Sequence, residues 1–192
     1  MRDRYIFKKS HALNLNQCQH SIDYFENSSE QKTRTDLYNY IQVPGILHEF
    51  MDVGDILLFN IKEYCNQHSF LKKYIYPWGV ESKYNMQKYL PGVSFNGEHC
   101  EHGPDEHDCR RLLGWMFYLN DIKRDGGTCW PQQNLTTKPR AGDLYIWPAG
   151  WTHSHFGIPA PEETKYILTG WCSLIQPHSR SKDFYGVHET QS

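Results

Sequence analysis

The feature that most restricts the fold of this chain is a series of short β-type segments, which begins near Trp78 and continues to about residue 174. These segments are separated by turn signals such as Pro91-Gly92 and Asp125-Gly126-Gly127. Many short strands between glycine and proline turns are typical of a sandwich, a barrel or a jelly roll. The pattern therefore predicts a β core over about residues 78–176.

Within this region, residues 83–88 alternate between two faces, as a half-buried strand does. Residues 112–119 form a continuous apolar and aromatic run, which is typical of a buried central strand. Further strands are predicted at residues 128–130, 144–147 and 166–174.

The first part of the chain has helical periodicity instead. Cys18, Ile22 and Phe25 recur at helical spacing, and Asn14 or Asn16 can cap that helix. A second helix is predicted from about residue 55 to 67, with its N-terminus near Gly54 and an apolar face formed by Leu57, Leu58, Ile61, Tyr64 and Cys65. We therefore predict an α+β, mainly β protein, in which helices of an N-terminal support (about residues 1–77) pack on one face of the β core.

Size and composition exclude several classes of protein. A chain of 192 residues is expected to form a single domain, and its net charge of −2 without a basic stripe predicts no nucleic-acid partner. No apolar run reaches membrane-spanning length, so no membrane partner is expected. The N-terminus lacks the apolar segment of a signal peptide, and the six cysteines form no CxxC pair, which together predict a cytoplasmic protein.

A histidine is followed two positions later by a carboxylate at His99 and Glu101, and this is the only HxD or HxE pair in the chain. In a strand these two side chains point to the same side, so both can reach one ion. A third ligand is available from His153 or His155, since both follow a Pro-Ala-Gly turn and would share a strand face. Two histidines and one carboxylate are the ligand set of non-haem Fe(II) oxygenases.

Other interpretations of these residues remain open at this point. The 99–101 segment can be a polar surface loop, and each histidine can be structural. A zinc site is a further alternative, although its members lack the tight CxxC spacing of strong zinc motifs. Its ligands would come from His99, Cys100, His102, His107 and Cys109.

An ordered set of motifs across about residues 84–174 resembles the prolyl 4-hydroxylase-like branch of the Fe(II)/2-oxoglutarate dioxygenases. The motifs in chain order are Tyr89-Leu-Pro91-Gly92, His99-Cys-Glu101, Tyr118-Leu119-Asn120-Asp121, Gly126-Gly127-Thr128, Pro139-Arg-Ala-Gly142-Asp143, His155-Phe-Gly157, Lys165 and Trp171. The resemblance implies a double-stranded β-helix, a jelly-roll or cupin-like barrel whose open mouth holds the metal. It also implies Fe(II), 2-oxoglutarate and O2 as cofactor and cosubstrates, with ascorbate as an accompanying reductant.

The resemblance further implies roles for individual residues. His99, Glu101 and His155 would bind the iron, and the spacing from His155 to Lys165 favours His155 over His153. Lys165 would bind the far carboxylate of 2-oxoglutarate. The remaining positions are Tyr118, which would share that carboxylate, Tyr89, which would lie beside the metal-bound end of the cosubstrate, and Arg111, which would contact substrate at the mouth.

Two further points bear on the site. Thr169 lies four positions past Lys165 on the same side of a predicted strand, so its hydroxyl can contact the cosubstrate as well. Glu101 stands where the family usually has Asp, and its extra methylene requires a deeper metal or a shifted backbone.

The predicted activity is an oxygenase that hydroxylates a C–H bond, in a prolyl residue of a peptide or protein, with release of succinate and CO2. One alternative is the same chemistry on a small metabolite or a free amino acid, since substrate loops vary on such scaffolds. Another is a non-catalytic jelly-roll module that binds a metal, a ligand or a partner. The oligomeric state is not determined by the sequence.

Overall fold

The computed structural model describes residues 5–34, 38–44, 50–73, 77–176 and 184–188. These ranges contain twelve strands and three α-helices, joined by loops and short 3-10 turns. The helices are α1 (Leu15–Asn27), α2 (Met51–Gln67) and α3 (Ser69–Lys72). The strands are β1 (Phe7–Lys9), β2 (Lys32–Arg34), β3 (Tyr38–Pro44), β4 (Trp78–Glu81), β5 (Lys83–Tyr89), β6 (Arg111–Tyr118), β7 (Thr128–Trp130), β8 (Leu135–Thr136), β9 (Leu144–Pro148), β10 (Phe156–Gly157), β11 (Lys165–Leu174) and β12 (Phe184–His188).

The described strands form two antiparallel sheets. The larger sheet has the order β1-β9-β6-β11-β5-β3-β2, with β4 pairing to β11 and β12. The smaller sheet has the order β10-β7-β8. In the larger sheet β11 lies between β5 and β6, and its pairing with β5 places Lys165 opposite Tyr89 and Thr169 opposite Asn85.

The two faces of the larger sheet pack against different partners. One face buries Met86, Trp115 and Leu168 in a cluster with residues of α1 and α2, such as Phe25 and Leu57. The helices therefore pack on one face of the β core, as the sequence predicted.

The opposite face of the sheet carries a second aromatic cluster, shared with the smaller sheet through Trp130 of β7. Tyr89, Tyr118, Tyr145 and Trp147 belong to it, and all of them are buried. The predicted double-stranded β-helix is confirmed, and the space between its two sheets is where the candidate site lies.

The first helix begins where its capping signal predicts. The side chain of Asn14 accepts a hydrogen bond from the backbone N–H of Gln17, and the Gln17 side chain accepts one from the N–H of Asn14. This reciprocal capping box satisfies two N–H groups that the helix itself cannot use. Of the two predicted caps, Asn14 is therefore the one that functions.

The N-terminal part differs from the prediction in two ways. Helix α2 begins at Met51 rather than near residue 55, and its N-cap residue Phe50 makes no side-chain cap. Strands β1, β2 and β3, which the helical periodicity did not predict, extend the larger sheet. Parts of the predicted support over residues 1–77 lie outside the described residues. No helix in the described ranges is both long and apolar enough to cross a bilayer.

Candidate active site

A cavity of about 340 Å³ opens on the inner face of the larger sheet. Its walls come from β5 and β11, from the segment between β5 and β6, and from His155 before β10. Seven of the eight residues predicted for the site line it, namely Tyr89, His99, Glu101, Arg111, His155, Lys165 and Thr169. The fold thus brings together residues that are up to 80 positions apart in the chain, taking 89 from 169.

His99 and His155 are held opposite each other by the backbone. They form an isolated antiparallel bridge, in which the N–H of His99 donates to the carbonyl of His155 at 3.0 Å and the reverse bond measures 2.8 Å. The two imidazole centroids lie 4.5 Å apart. The two histidines are 56 positions apart in the sequence (155 − 99). Paired backbone hydrogen bonds, and not side-chain contacts alone, therefore fix their relative position.

Each of these imidazoles is oriented by a backbone carbonyl. The Nδ1 atom of His99 lies 2.9 Å from the carbonyl oxygen of Gly97, and that of His155 lies 3.0 Å from the oxygen of His153. Because a carbonyl only accepts, Nδ1 carries the proton in both rings, which directs the lone pair of each Nε2 away from these contacts. A second hydrogen bond of this kind is what fixes the tautomer of metal-binding histidines.

Glu101 completes the cluster from the same side as His99. Its Oε1 atom lies 3.2 Å from Nε2 of His155, and its backbone N–H donates to the carbonyl of Ala149 at 3.0 Å. Burial raises the pKa of this carboxyl group, but in the metal-free protein hydrogen bonds from His155 and Trp171, together with the positive charges of His155 and His99 when these rings are protonated, outweigh burial and bring the pKa to about 2. The carboxylate is therefore ionised, as a metal ligand must be.

The donor set fits a divalent metal. One ligand atom from each of His99, Glu101 and His155 lies within 4.8 Å of those of the other two. Two neutral imidazoles and one carboxylate on one side of an ion leave its other positions open, which is the arrangement of non-haem Fe(II) oxygenases. The rings of Trp130 and Trp147 flank His155 at 5.5 and 5.2 Å, so this imidazole lies in an apolar surrounding.

Lys165 provides a buried positive charge at the other end of the cavity. Its side chain is 4% exposed, and Nζ donates to the carbonyl of Gly126 at 2.9 Å and lies 4.8 Å from the ring centroid of Tyr89. Burial lowers its pKa to about 8, and no carboxylate of the described residues pairs with it. A buried cation that lacks an anionic partner fits the binding of a ligand carboxylate.

The other predicted cosubstrate residues differ in how they present their hydroxyl groups. Tyr89 donates to Oε1 of Gln87 at 2.8 Å, and Thr169 donates to the carbonyl of Trp115 at 2.9 Å. Tyr118 is the one predicted residue that does not line the cavity. Its hydroxyl lies 3.0 Å from the Thr128 hydroxyl and 2.7 Å from that of Thr137, and the side chain is fully buried. Thr128 takes its place in the cavity wall.

The alternative ligands are placed elsewhere. The expectation that His153 and His155 share a strand face is wrong, because Trp151–His153 is a 3-10 turn and β10 begins only at Phe156. His153 belongs to neither cluster of potential metal ligands among the described residues. The zinc alternative is likewise not assembled, since Cys100 and Cys109 are in neither cluster and direct their thiols to the carbonyls of His102 and Glu106.

Several residues of the cavity were not singled out from the sequence. Asn85 and Gln87 lie on the same face of β5 as Tyr89, so the two-residue period of that strand would have found them. Tyr38 reaches the cavity from β3 and packs on Tyr89, with ring centroids 4.9 Å apart. Because β3 was not predicted, nothing in the sequence placed this tyrosine in the site.

Comparison with known proteins agrees with this geometry. Residues 84–173, just under half of the chain, match the sequence model of the 2OG-Fe(II) oxygenase superfamily. That range begins at β5 and includes all three residues of the cluster as well as Lys165. No curated protein sequence matches the chain.

Solved structures with a similar fold include several prolyl hydroxylases. A viral collagen prolyl hydroxylase from Paramecium Bursaria Chlorella virus-1, in complex with 2OG, has a TM-score of 0.70 at 18% identity, covering 90% of this chain and 97% of its own. A Pseudomonas putida prolyl-4-hydroxylase has a TM-score of 0.67 at 19% identity, with 90% and 94% covered. A prolyl hydroxylase from Trichoplax adhaerens, in complex with a peptide fragment of the hypoxia inducible factor oxygen degradation domain, has a TM-score of 0.66 at 15% identity, with 88% and 83% covered.

The fold and the site thus define a 2-oxoglutarate-dependent dioxygenase that uses Fe(II), 2-oxoglutarate and O2. Residues 84–173 match the 2OG-Fe(II) oxygenase superfamily, and the fold of the chain is similar to that of the prolyl hydroxylases.

Proposed function

We propose that this oxygenase hydroxylates a C–H bond of a prolyl residue in a peptide or protein, with release of succinate and CO2. The observation that carries the proposal is the pairing of the His99, Glu101 and His155 cluster with the buried Lys165 ammonium in one cavity. His99, Glu101 and His155 are proposed as the Fe(II) ligands. When bound, the metal and the keto acid supply the oxidation, while the protein fixes geometry and excludes side reactions.

The cosubstrate would lie along the wall made by β5 and β11. Lys165 is proposed to bind the carboxylate far from the metal, because an ammonium group that is shielded from water pairs strongly with an anion. Tyr89 is directly opposite Lys165 in the sheet, so its ring closes this end of the cavity. The hydroxyl of Thr169 donates to the backbone, which leaves its oxygen available as an acceptor.

An aromatic wall supports a prolyl substrate. Phe95 packs on His99 with centroids 4.4 Å apart, and Tyr38 packs on both Phe95 and Tyr89. Flat apolar faces beside the metal cluster suit a pyrrolidine ring. The Trichoplax relative was solved with a peptide, which supports a peptide rather than a free amino acid.

Anaerobic titration of the protein with Fe(II) and 2-oxoglutarate tests the cofactor chemistry. A weak visible charge-transfer band of the chelated keto acid is expected, and His155→Ala should abolish it. Lack of the band in the wild-type protein would exclude the proposed oxygenase site.

The substrate class needs a separate test. Proline-containing peptides and free proline are incubated with the enzyme and O2, and mass spectrometry measures which one gains an oxygen atom while succinate accumulates. Oxidation of the peptides alone is expected. Oxidation of free proline alone would move the function to the small-metabolite alternative and leave the iron site intact.

A further inference from the structure

Glu101, one methylene longer than the Asp usual in the family, has a dedicated hydrogen-bond donor. The indole Nε1–H of Trp171 donates to Oε2 of Glu101 at 2.6 Å, while Oε1 faces His155. The two oxygens of this carboxylate are therefore used differently. One is bound to the protein, and the other is directed to the cluster.

The indole ring is itself held in place by a second contact. The guanidinium carbon of Arg111 lies 3.7 Å from the centroid of the Trp171 ring, a distance at which a cation is attracted to the ring face. Arg111 is fixed in turn by Asp108, with an N–O distance of 2.6 Å. Trp171 also lies on the central strand β11, opposite Gly114 of β6.

The backbone of Glu101 cannot follow a shorter side chain easily. Its N–H donates to Ala149 and its carbonyl accepts from Nη1 of Arg111 at 3.0 Å. Loss of one methylene withdraws the carboxylate by about one C–C bond, roughly 1.5 Å. With the backbone held, an Asp at this position would lose the Trp171 hydrogen bond.

We propose that Trp171 is a positioning residue, whose indole N–H orients Glu101 so that a single carboxylate oxygen is presented to the metal. This inference rests on the proposed iron site and deepens it. The hydrogen bond from the indole depends on the length of the Glu101 side chain, and the Arg111 guanidinium holds the indole ring in the position from which it donates. Asp is therefore not an equivalent ligand in this chain, even though it serves elsewhere in the family.

Co(II) affinity of the metal-free protein tests the proposal without turnover. Trp171→Phe keeps a ring under Arg111 but removes the donor, and it should weaken Co(II) binding about 10- to 100-fold, as is typical for partners of metal ligands. Trp151→Phe is the matched control, because its indole is 73% exposed and its N–H has no hydrogen bond within the described residues. Co(II) affinity of Trp171→Phe equal to that of the control would overturn the proposal.

A double-mutant cycle adds a readout that a merely structural role would not change. Glu101→Asp should weaken Co(II) binding in the wild-type protein but cause no further loss in the Trp171→Phe background. Independent, additive losses would overturn the proposed coupling. His155→Ala distinguishes failure of the proposed metal site from failure of the proposed role of Trp171. Unchanged Co(II) affinity in His155→Ala would contradict the metal site itself.

The wild-type protein offers a measurement that does not depend on folding of the Trp171 variant. In the Zn(II)-loaded protein, the indole N–H of Trp171 should exchange slowly with solvent, and Glu101→Asp should make it exchange faster. Equal exchange rates in the two proteins would contradict the proposal.

Discussion

Lys165 and Tyr89 lie directly opposite each other on β11 and β5, and the lysine ammonium is 4.8 Å from the centre of the tyrosine ring. The ring face offers weak attraction, and the Gly126 carbonyl offers one hydrogen bond. Neither neutralises the charge. The protein therefore keeps a buried cation at a cost in stability, which a bound dicarboxylate would relieve.

Lys165→Met should stabilise the ligand-free protein. A pKa lowered from 10.5 to about 8 corresponds to a penalty on the order of 3 kcal/mol, which loss of the Gly126 hydrogen bond reduces to about 2 kcal/mol. The penalty is fully present below pH 8 and disappears as the pH approaches 10.5, because the unfolded chain then also loses its proton. Denaturant unfolding below and above this window should show the gain and its disappearance.

The same variant should lose 2-oxoglutarate affinity, by roughly 2–5 kcal/mol, because a desolvated carboxylate loses its partner. Lys123→Met is the control, since Lys123 is exposed. Unchanged cosubstrate affinity in Lys165→Met would remove Lys165 from the site.

Affinity for 2-oxoglutarate should fall as the pH rises through about 8, where the Lys165 ammonium of the free protein begins to deprotonate. The expected loss is about tenfold per pH unit, which is the slope for uptake of one proton on binding. Lys165→Arg should remove this dependence, because a guanidinium stays protonated.

The other titratable groups that line the cavity are Tyr38, Tyr89, His99, Cys100, Glu101, His102, Asp108 and His155. Calorimetry of the Zn(II)-loaded proteins on both sides of pH 8 measures the effect, and an equal slope in both proteins would assign it to another of these groups.

His155→Ala and His153→Ala should differ in metal content. His155 lies in the cluster with Glu101, whereas the Nδ1 atom of His153 lies 3.0 Å from the Thr152 hydroxyl and the residue is outside the cluster. Metal analysis after equilibration with Fe(II) should find the metal in the His153 variant alone. The reverse result would reassign the third ligand.

Tyr118→Phe should mainly affect stability. The hydroxyl of Tyr118 lies in a buried group with those of Thr128 and Thr137, so its removal should cost about 1–2 kcal/mol of unfolding free energy. Because Thr128 rather than Tyr118 lines the cavity, 2-oxoglutarate affinity should change by less than about tenfold. A larger loss would show that the Tyr118 hydroxyl contacts the cosubstrate, as the family resemblance implies.

Gly127→Ala should disrupt the smaller sheet next to the cavity. A Cβ atom at this position would lie 2.0 Å from the backbone carbonyl oxygen of Thr137, so the backbone itself must move. A loss of at least about 3 kcal/mol is expected, at the upper end for overpacking. Gly97→Ala, where a Cβ atom would meet nothing within 4 Å, is the control in thermal unfolding.

The β core was largely predictable because its strands carry local signals. The predicted segment at residues 128–130 coincides with β7, and the run at 112–119 differs from β6 by one residue at each end. The order of the motifs also predicted that His99, Glu101, His155 and Lys165 lie together, since the family pattern records which distant residues meet. The prediction of one domain over residues 1–192, like that of a cytoplasmic location, stays a prediction.

What the sequence did not indicate depends on contacts between distant residues. Strands β1 and β2 have three residues each, too few for a two-residue period, and they exist because β9 and β3 pair with them. Helix α2 begins four residues before the predicted start, since its N-cap Phe50 provides no side-chain signal. The hydrogen bond from Trp171 to Glu101 joins residues 70 positions apart, and neither residue type indicates the other.

The reciprocal bridge between His99 and His155 has a consequence for assembly of the protein. Its two halves belong to segments that meet only when the larger and smaller sheets have closed on each other. The unfolded chain therefore has no preformed site, and a metal that binds across the bridge binds the closed state alone. By mass action, iron supply should then set the resistance of the enzyme to unfolding and proteolysis. The metal would stabilise the closed barrel, and its removal by a chelator would lower the free energy of unfolding even in the absence of substrate.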